Sequence, residues 1–253
     1  MRHLASLISL LLLLSFTAVA QTYRYVGVED GLSNRRIYRI QQDSIGYMWF
    51  LTNDGMDRYD GKEVRHYNFV EERGEYAYPL HLGWLQLDKK GYLWVVDKKG
   101  RIFYYDSLKD LFVMAYKLPD VSLKISSSYL DSDENIWLCS RHSITLYNIR
   151  TQKVLPLDNV IGEEVISIQE VGKNEFLLSG ESKIRHCRIL KDELTILPQP
   201  VLENIDNQIS TTYYHRPSHT LFIGTYGKGI LTYDLQKQEI GELAKKLEFV
   251  NIV

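Results

Sequence analysis

With 253 residues, 30 basic side chains against 32 acidic ones and no basic stripe, the chain offers nucleic acid no electrostatic footprint. Beyond the first twenty residues no apolar run approaches the roughly 20 residues of a bilayer span. The remainder of the chain has a length suited to one all-β domain.

Residues 1–20 read as a signal peptide. Arg2 and His3 give a short polar start, residues 4–19 are mostly apolar, and Ala18-Val-Ala20 fits a small-x-small cleavage site before Gln21. No Cys stands after that site for lipid attachment. Residues 23–26 are expected to form a short leading strand. Next, residues 30–68 hold four β-favouring runs, 37–41, 47–51, 56–59 and 64–67. Asp43-Ser-Ile-Gly46, Asn53-Asp-Gly55 and Asp60-Gly61-Lys62 separate them. Asp or Asn opens a tight turn by bonding its own backbone, and Gly supplies the positive φ that other residues resist. Four runs and three such turns predict an antiparallel four-stranded meander.

The same grammar returns downstream. Asp88-Lys-Lys-Gly91-Tyr-Leu-Trp94 echoes Asp43-Ser-Ile-Gly46-Tyr-Met-Trp49, and Asp131-Ser-Asp-Glu-Asn135-Ile-Trp137 echoes it again without the Gly. A worn fourth copy places Phe176 at the Trp position, and a fifth places Phe222 there. The anchors are about 45, 43, 39 and 46 residues apart, close to the ~40–45 residues of four-stranded propeller blades. Third strands end alike, in Arg58-Tyr59-Asp60, Tyr104-Tyr105-Asp106, Leu146-Tyr147-Asn148 and Thr232-Tyr233-Asp234. The expected fold is an all-β propeller of about five four-stranded antiparallel blades, within a domain covering residues 21–253. The units are expected at about residues 31–70, 78–117, 121–157, 165–198 and 209–244. All five anchor rings are expected to be buried between blades. A further blade is due where the sequence stops, so an open ring and a truncated chain are also expected.

The run GLSN…QDSIGYMWFLTNDGMDRYDG resembles the two-component regulator propeller repeat, and the resemblance extends over nearly all of residues 23–253. It implies the periplasmic sensor of membrane histidine kinases, many of them hybrid systems of gut Bacteroidetes that control polysaccharide use. An oligosaccharide ligand, further blades, a membrane-anchored kinase region and homodimerisation are implied in the same way. Unit four departs from the pattern, keeping neither the Asp…Gly turn nor the Trp. A protein-binding scaffold and a carbohydrate-active propeller enzyme are the alternatives.

Local chemistry points to no catalytic residue, metal or cofactor. His215 and His219 have i,i+4 spacing, but Pro217 lies between them and a hairpin turn is due there. Gly224-Thr-Tyr-Gly227-Lys-Gly229 lacks the Ser/Thr and the helix of a phosphate loop and is read as a turn. Asp54 with Asp57, Glu71 with Glu72 and Glu163 with Glu164 are weak glycosidase pairs. Cys139 and Cys187 are read as separate buried thiols or, less readily, as a disulfide.

Binding residues are sought where loops vary. The segments joining the units are long and dissimilar, and they share a face with the turns between second and third strands. That face offers Arg35, Arg36, Asn53 and Asp54 in unit one, and Tyr76, Tyr78, His81, Lys98 and Lys99 in unit two. Arg141 and His142 belong to unit three, Tyr226 and Lys228 to unit five. Their cations suit an acidic sugar or a sulfate through charge-assisted hydrogen bonds.

Overall fold

The computed structural model describes residues 23–67, 69, 83–120, 122–198, 208–227 and 229–244. Blade one contains β1 (Ile37–Gln42), β2 (Met48–Thr52), β3 (Gly55–Tyr59) and β4 (Val64–Tyr67). Blade two contains β5 (Trp84–Leu87), β6 (Leu93–Val96), β7 (Arg101–Asp106) and β8 (Leu111–Lys117). Blade three contains β9 (Ser127–Leu130), β10 (Asn135–Cys139), β11 (Ser143–Asn148) and β12 (Val154–Asp158). Blade four contains β13 (Ser167–Gly172), β14 (Glu175–Ser179), β15 (Ile184–Leu190) and β16 (Glu193–Ile196). Blade five contains β17 (Ile209–His215), β18 (Thr220–Thr225), β19 (Gly229–Asp234) and β20 (Glu239–Ala244). Each blade is a consecutive antiparallel meander, and the first strands adjoin in the order β1, β5, β9, β13, β17. The described residues thus form five blades of a β-propeller.

The repeated Asp does more than open a turn. Asp43 Oδ1 accepts the backbone N–H groups of Ile45, Gly46 and Tyr47 at 2.9–3.0 Å, while Oδ2 accepts Trp49 Nε1–H at 2.8 Å. In blades two and three Asp88 accepts the Trp94 indole at 3.1 Å and Asp131 the Trp137 indole at 2.9 Å. A buried indole N–H needs an acceptor, and an Asp six residues earlier supplies it while holding the hairpin. One side chain therefore couples turn geometry to the packing between blades.

Four apolar clusters join neighbouring blades. Trp49, Leu51 and Met56 meet Phe103, Tyr105 and Phe112 between blades one and two. Trp94, Val96 and Ile102 meet Ile136, Leu138 and Tyr147 between blades two and three. Trp137, Cys139 and Ile144 meet Phe176, Leu178 and Cys187 between blades three and four, and Leu177 and Ile184 meet Leu221 and Ile223 beyond. No such cluster joins blade five to blade one among the described residues.

These clusters correct the anchor of unit four. Trp49, Trp94 and Trp137 each face the following blade, whereas Phe176 faces back onto Trp137, with ring centroids 4.5 Å apart. The residue that faces forward is Leu177. The turn bonds agree: Gly180 N–H donates to Lys183 O at 2.9 Å where Ser140 N–H donates to Ser143 O at 2.8 Å, so Leu177 stands where Trp137 stands. Successive strand residues point to opposite faces, so a shift of one residue in the alignment reverses the side. With Leu177 the anchor spacings become about 45, 43, 40 and 45 residues, still those of propeller blades. Phe222 is a second correction. It holds the anchor position but is only half-buried, because no described blade covers the forward face of blade five.

The leading segment is the third. Residues 23–27 join no sheet; Arg24 donates to Gly61 O at 2.8 Å and lies over the Tyr59 ring, which satisfies the guanidinium against the β3–β4 turn of blade one. A three-residue 3-10 turn at Val28–Asp30 comes next, ended by Gly31 at φ 110°.

Both cysteines lie in the core between blades three and four as free thiols, each pushed up to about 12 by burial. The thiolate is the reactive form. Native protein at pH 8 is expected to leave both cysteines unmodified by iodoacetamide, and unfolded protein to react at both. Mass spectrometry showing native alkylation would contradict this packing.

Candidate functional site

The binding residues read from the sequence are distributed around one face. Asn53 and Asp54 occupy the β2–β3 turn, Lys98 and Lys99 the β6–β7 turn, Arg141 and His142 the β10–β11 turn, and Tyr226 the β18–β19 turn. Arg35 and Arg36 lead into β1. The pairs are held within their own blades. Asn34 donates to Asp54 at 2.9 Å, Tyr38 reaches Asn53 at 3.4 Å, and Arg36 lies over the Tyr38 ring. Lys99 N–H donates to Asp97 at 2.9 Å, and Asn159 ties down the Arg141 carbonyl at 3.0 Å. The structure thus sets these residues along one rim, turn by turn. Tyr76, Tyr78, His81 and Lys228 lie outside the described residues.

The acid pairs have structural partners. Asp57 is fully buried; its Oδ2 accepts Ser33 N–H and Oγ–H, both at 2.8 Å, and its Oδ1 lies 2.8 Å from His66 Nδ1. Asp54 is exposed. Glu163 accepts Ser182 N–H and Oγ–H at 3.2 and 3.0 Å, and Glu71 and Glu72 lie outside the described residues. His215 and His219 flank a 3-10 turn, where His215 Nδ1 pairs with Ser218 Oγ and His219 Nδ1 with the Tyr214 hydroxyl.

Two features without a counterpart in the sequence reading lie on the opposite face. Between blades one and two the guanidinium of Arg58 sits among the rings of Tyr47, Trp49, Tyr67 and Tyr105, at 4.6–5.9 Å from their centroids. Asp110 closes this box: Arg58 donates to it at 3.3 Å, Tyr67 Oη–H at 2.7 Å, and Tyr105 and Arg65 also reach it. Burial alone would raise the Asp110 carboxyl. The Tyr105 and Tyr67 hydroxyls and the Arg58 and Arg65 charges outweigh it and hold the carboxyl below its ordinary value. Burial, then the bond to Asp110, pushes Tyr67 well above the usual phenol range. Arg58 here is a plug.

Between blades two and three the corresponding place is open. A cleft of about 710 Å³ is lined by Tyr92, Trp94, Tyr104, Tyr147 and Gln152, with Asp106, Leu108 and Met114 at its side. Small-molecule sites span roughly 300–1,000 Å³ and carry mostly apolar and aromatic walls. The signal for this cleft is the variable first position of the third-strand triplets, Arg58 against Tyr104. In the sequence alone, the strand-end tyrosines read only as packing.

Residues 31–54 match the two component regulator propeller family. No curated protein matches the chain. Among solved structures, the extracellular domain of a hybrid two-component system from B. thetaiotaomicron superposes with TM-score 0.65 at 17% identity, covering 88% of this chain and 32% of that one. The extracellular domain of a one-component system from the same organism gives 0.62 at 18%, covering 85% and 29%. Virginiamycin B lyase from Staphylococcus aureus gives 0.63 at 14%, covering 86% and 72%. At these identities the likeness establishes the fold. This chain spans about a third of the length of the two extracellular domains.

Proposed function

We propose that this chain, which carries the two-component regulator propeller repeat, is the ligand-sensing part of a two-component receptor and acts outside the cytoplasm. The observation that carries the reading is the match at residues 31–54, whose Asp-to-indole hydrogen bond recurs in blades two and three. Export through residues 1–20, with cleavage before Gln21, would deliver it to the periplasm, and a membrane-anchored kinase region would receive the signal. The ligand class that the family resemblance implies is a polysaccharide fragment. In this reading the rim of Arg35, Arg36, Asn53, Asp54, Lys98, Lys99, Arg141, His142 and Tyr226 meets an acidic or sulfated stretch. Catalysis is assigned to no residue of the chain, since its buried Asp57 and half-buried Glu163 hold turns and strands together.

Calorimetric titration of residues 21–253 with sulfated hexasaccharides is expected to show binding without product formation. The double variant Arg35→Ala/Arg141→Ala is expected to lose at least about tenfold in affinity, or roughly 1.4 kcal/mol. Turnover of the fragments would move the chain to the enzymes, and the absence of any binding would remove the glycan reading.

A further inference from the structure

The two aromatic boxes are built to one plan. Tyr47 and Trp49 correspond to Tyr92 and Trp94, each pair following its own turn Asp, and Tyr105 corresponds to Tyr147 in the next blade. Trp49 pairs across the ladder with Arg58, and Trp94 with Tyr104, so Tyr104 stands where the plug stands. Asp110 at φ 52° and Gln152 at φ 59° are left-handed residues four positions beyond Asp106 and Asn148 in equivalent turns. The plan keeps the Tyr, Trp and Tyr rings and exchanges the charged groups, Arg58, Arg65 and Asp110, for the neutral Tyr104, Val113 and Gln152.

That exchange decides what the second box accepts. The rings remain as flat apolar faces, with Tyr92, a residue of the lining, 52% exposed. Asp106, the charged residue of the lining, is already engaged: Leu108 and Lys109 N–H groups donate to Oδ1, and Lys109 Nζ lies 3.3 Å from Oδ2. An anion would find no cation among the lining side chains, and a cation would find the carboxylate neutralised. The Tyr92, Tyr104 and Tyr147 hydroxyls, Ser107 and the Gln152 amide are the hydrogen-bonding groups that the lining offers.

We propose that the cleft between blades two and three binds a neutral saccharide, stacked on Tyr92, Trp94 and Tyr104 and bonded at its hydroxyls by Gln152. The proposal rests on the glycan-sensor reading, but it assigns a second subsite, on the face opposite the charged rim and selective for uncharged sugar.

The test restores the plug. Tyr104→Arg with Gln152→Asp rebuilds the ion pair of the first box inside the second. Residues 21–253 are titrated with neutral hexasaccharides (cellohexaose, xylohexaose, mannohexaose), following Trp fluorescence and heat, with circular dichroism to check the fold. Wild type is expected to bind at least one of them, and the plugged variant to lose at least tenfold. Tyr92→Ala, which removes an exposed ring without touching the core, should lose at least threefold and serves if the plugged variant is misfolded. Neutral saccharide binding that survives both cleft variants overturns the cleft and leaves the sensor reading standing. So does binding of sulfated hexasaccharides alone. Failure of neutral and sulfated probes together overturns both.

Discussion

Trp137→Ala is expected to cost about 3–5 kcal/mol of unfolding free energy, the range for removing a large buried aromatic side chain. Trp137 is fully buried, packs on Phe176 across the blade interface, and donates its indole N–H to Asp131. Burial already raises the Asp131 carboxyl, against the opposing bonds from Asn135 and Trp137. Losing the indole would raise it further. Trp137→Phe keeps most of the packing and removes only that bond, for which about 1–3 kcal/mol is expected. The forward-facing Leu177 should cost about 2–5 kcal/mol when cut to Ala, while half-buried Phe222 should cost only about 1 kcal/mol. Urea titrations of the four variants check the order. A cost for Phe222→Ala equal to that for Trp137→Ala would mean that another surface covers the forward face of blade five. Against a typical total of about 5–15 kcal/mol, the Trp137 loss alone would bring many domains near unfolding.

Asp110→Ala is expected to cost about 1–3 kcal/mol, because it leaves the part-buried Arg58 guanidinium in its ring box without its carboxylate and strands the Tyr67 hydroxyl. The interaction also sets an acid limb. The folded-state carboxyl of Asp110 is held below its ordinary value of 3.8, with its hydrogen bonds and the two arginines overcoming burial. The stabilisation is therefore fully present above about 4 and is lost as pH falls through the lower folded value. Urea midpoints measured from pH 6 to pH 2 should fall less steeply for Asp110→Ala than for wild type. Parallel curves would show that the carboxylate is not what holds Arg58.

The turns were legible in the sequence because their causes are local. Asp43, Asp88 and Asp131 bond backbone groups within four residues, and Gly46 and Gly91 take φ values of 102° and 81° there. Everything needed to recognise a hairpin, and from its recurrence the blade, lies in one short window. The charged rim was legible in the same way, as turn residues placed by strand order. Three things were decided only by packing between units some 45 residues apart. Leu177 rather than Phe176 faces forward, since the worn unit carries no Asp…Trp pair to fix which of two adjacent apolar residues points which way. Phe222 stays half-exposed, since its burial depends on what lies beyond blade five. Most of all, Tyr104 and Gln152 read in the sequence as ordinary strand-end and turn residues. Only the neighbouring box, filled by Arg58 and Asp110, reveals that their neutrality leaves a cleft open.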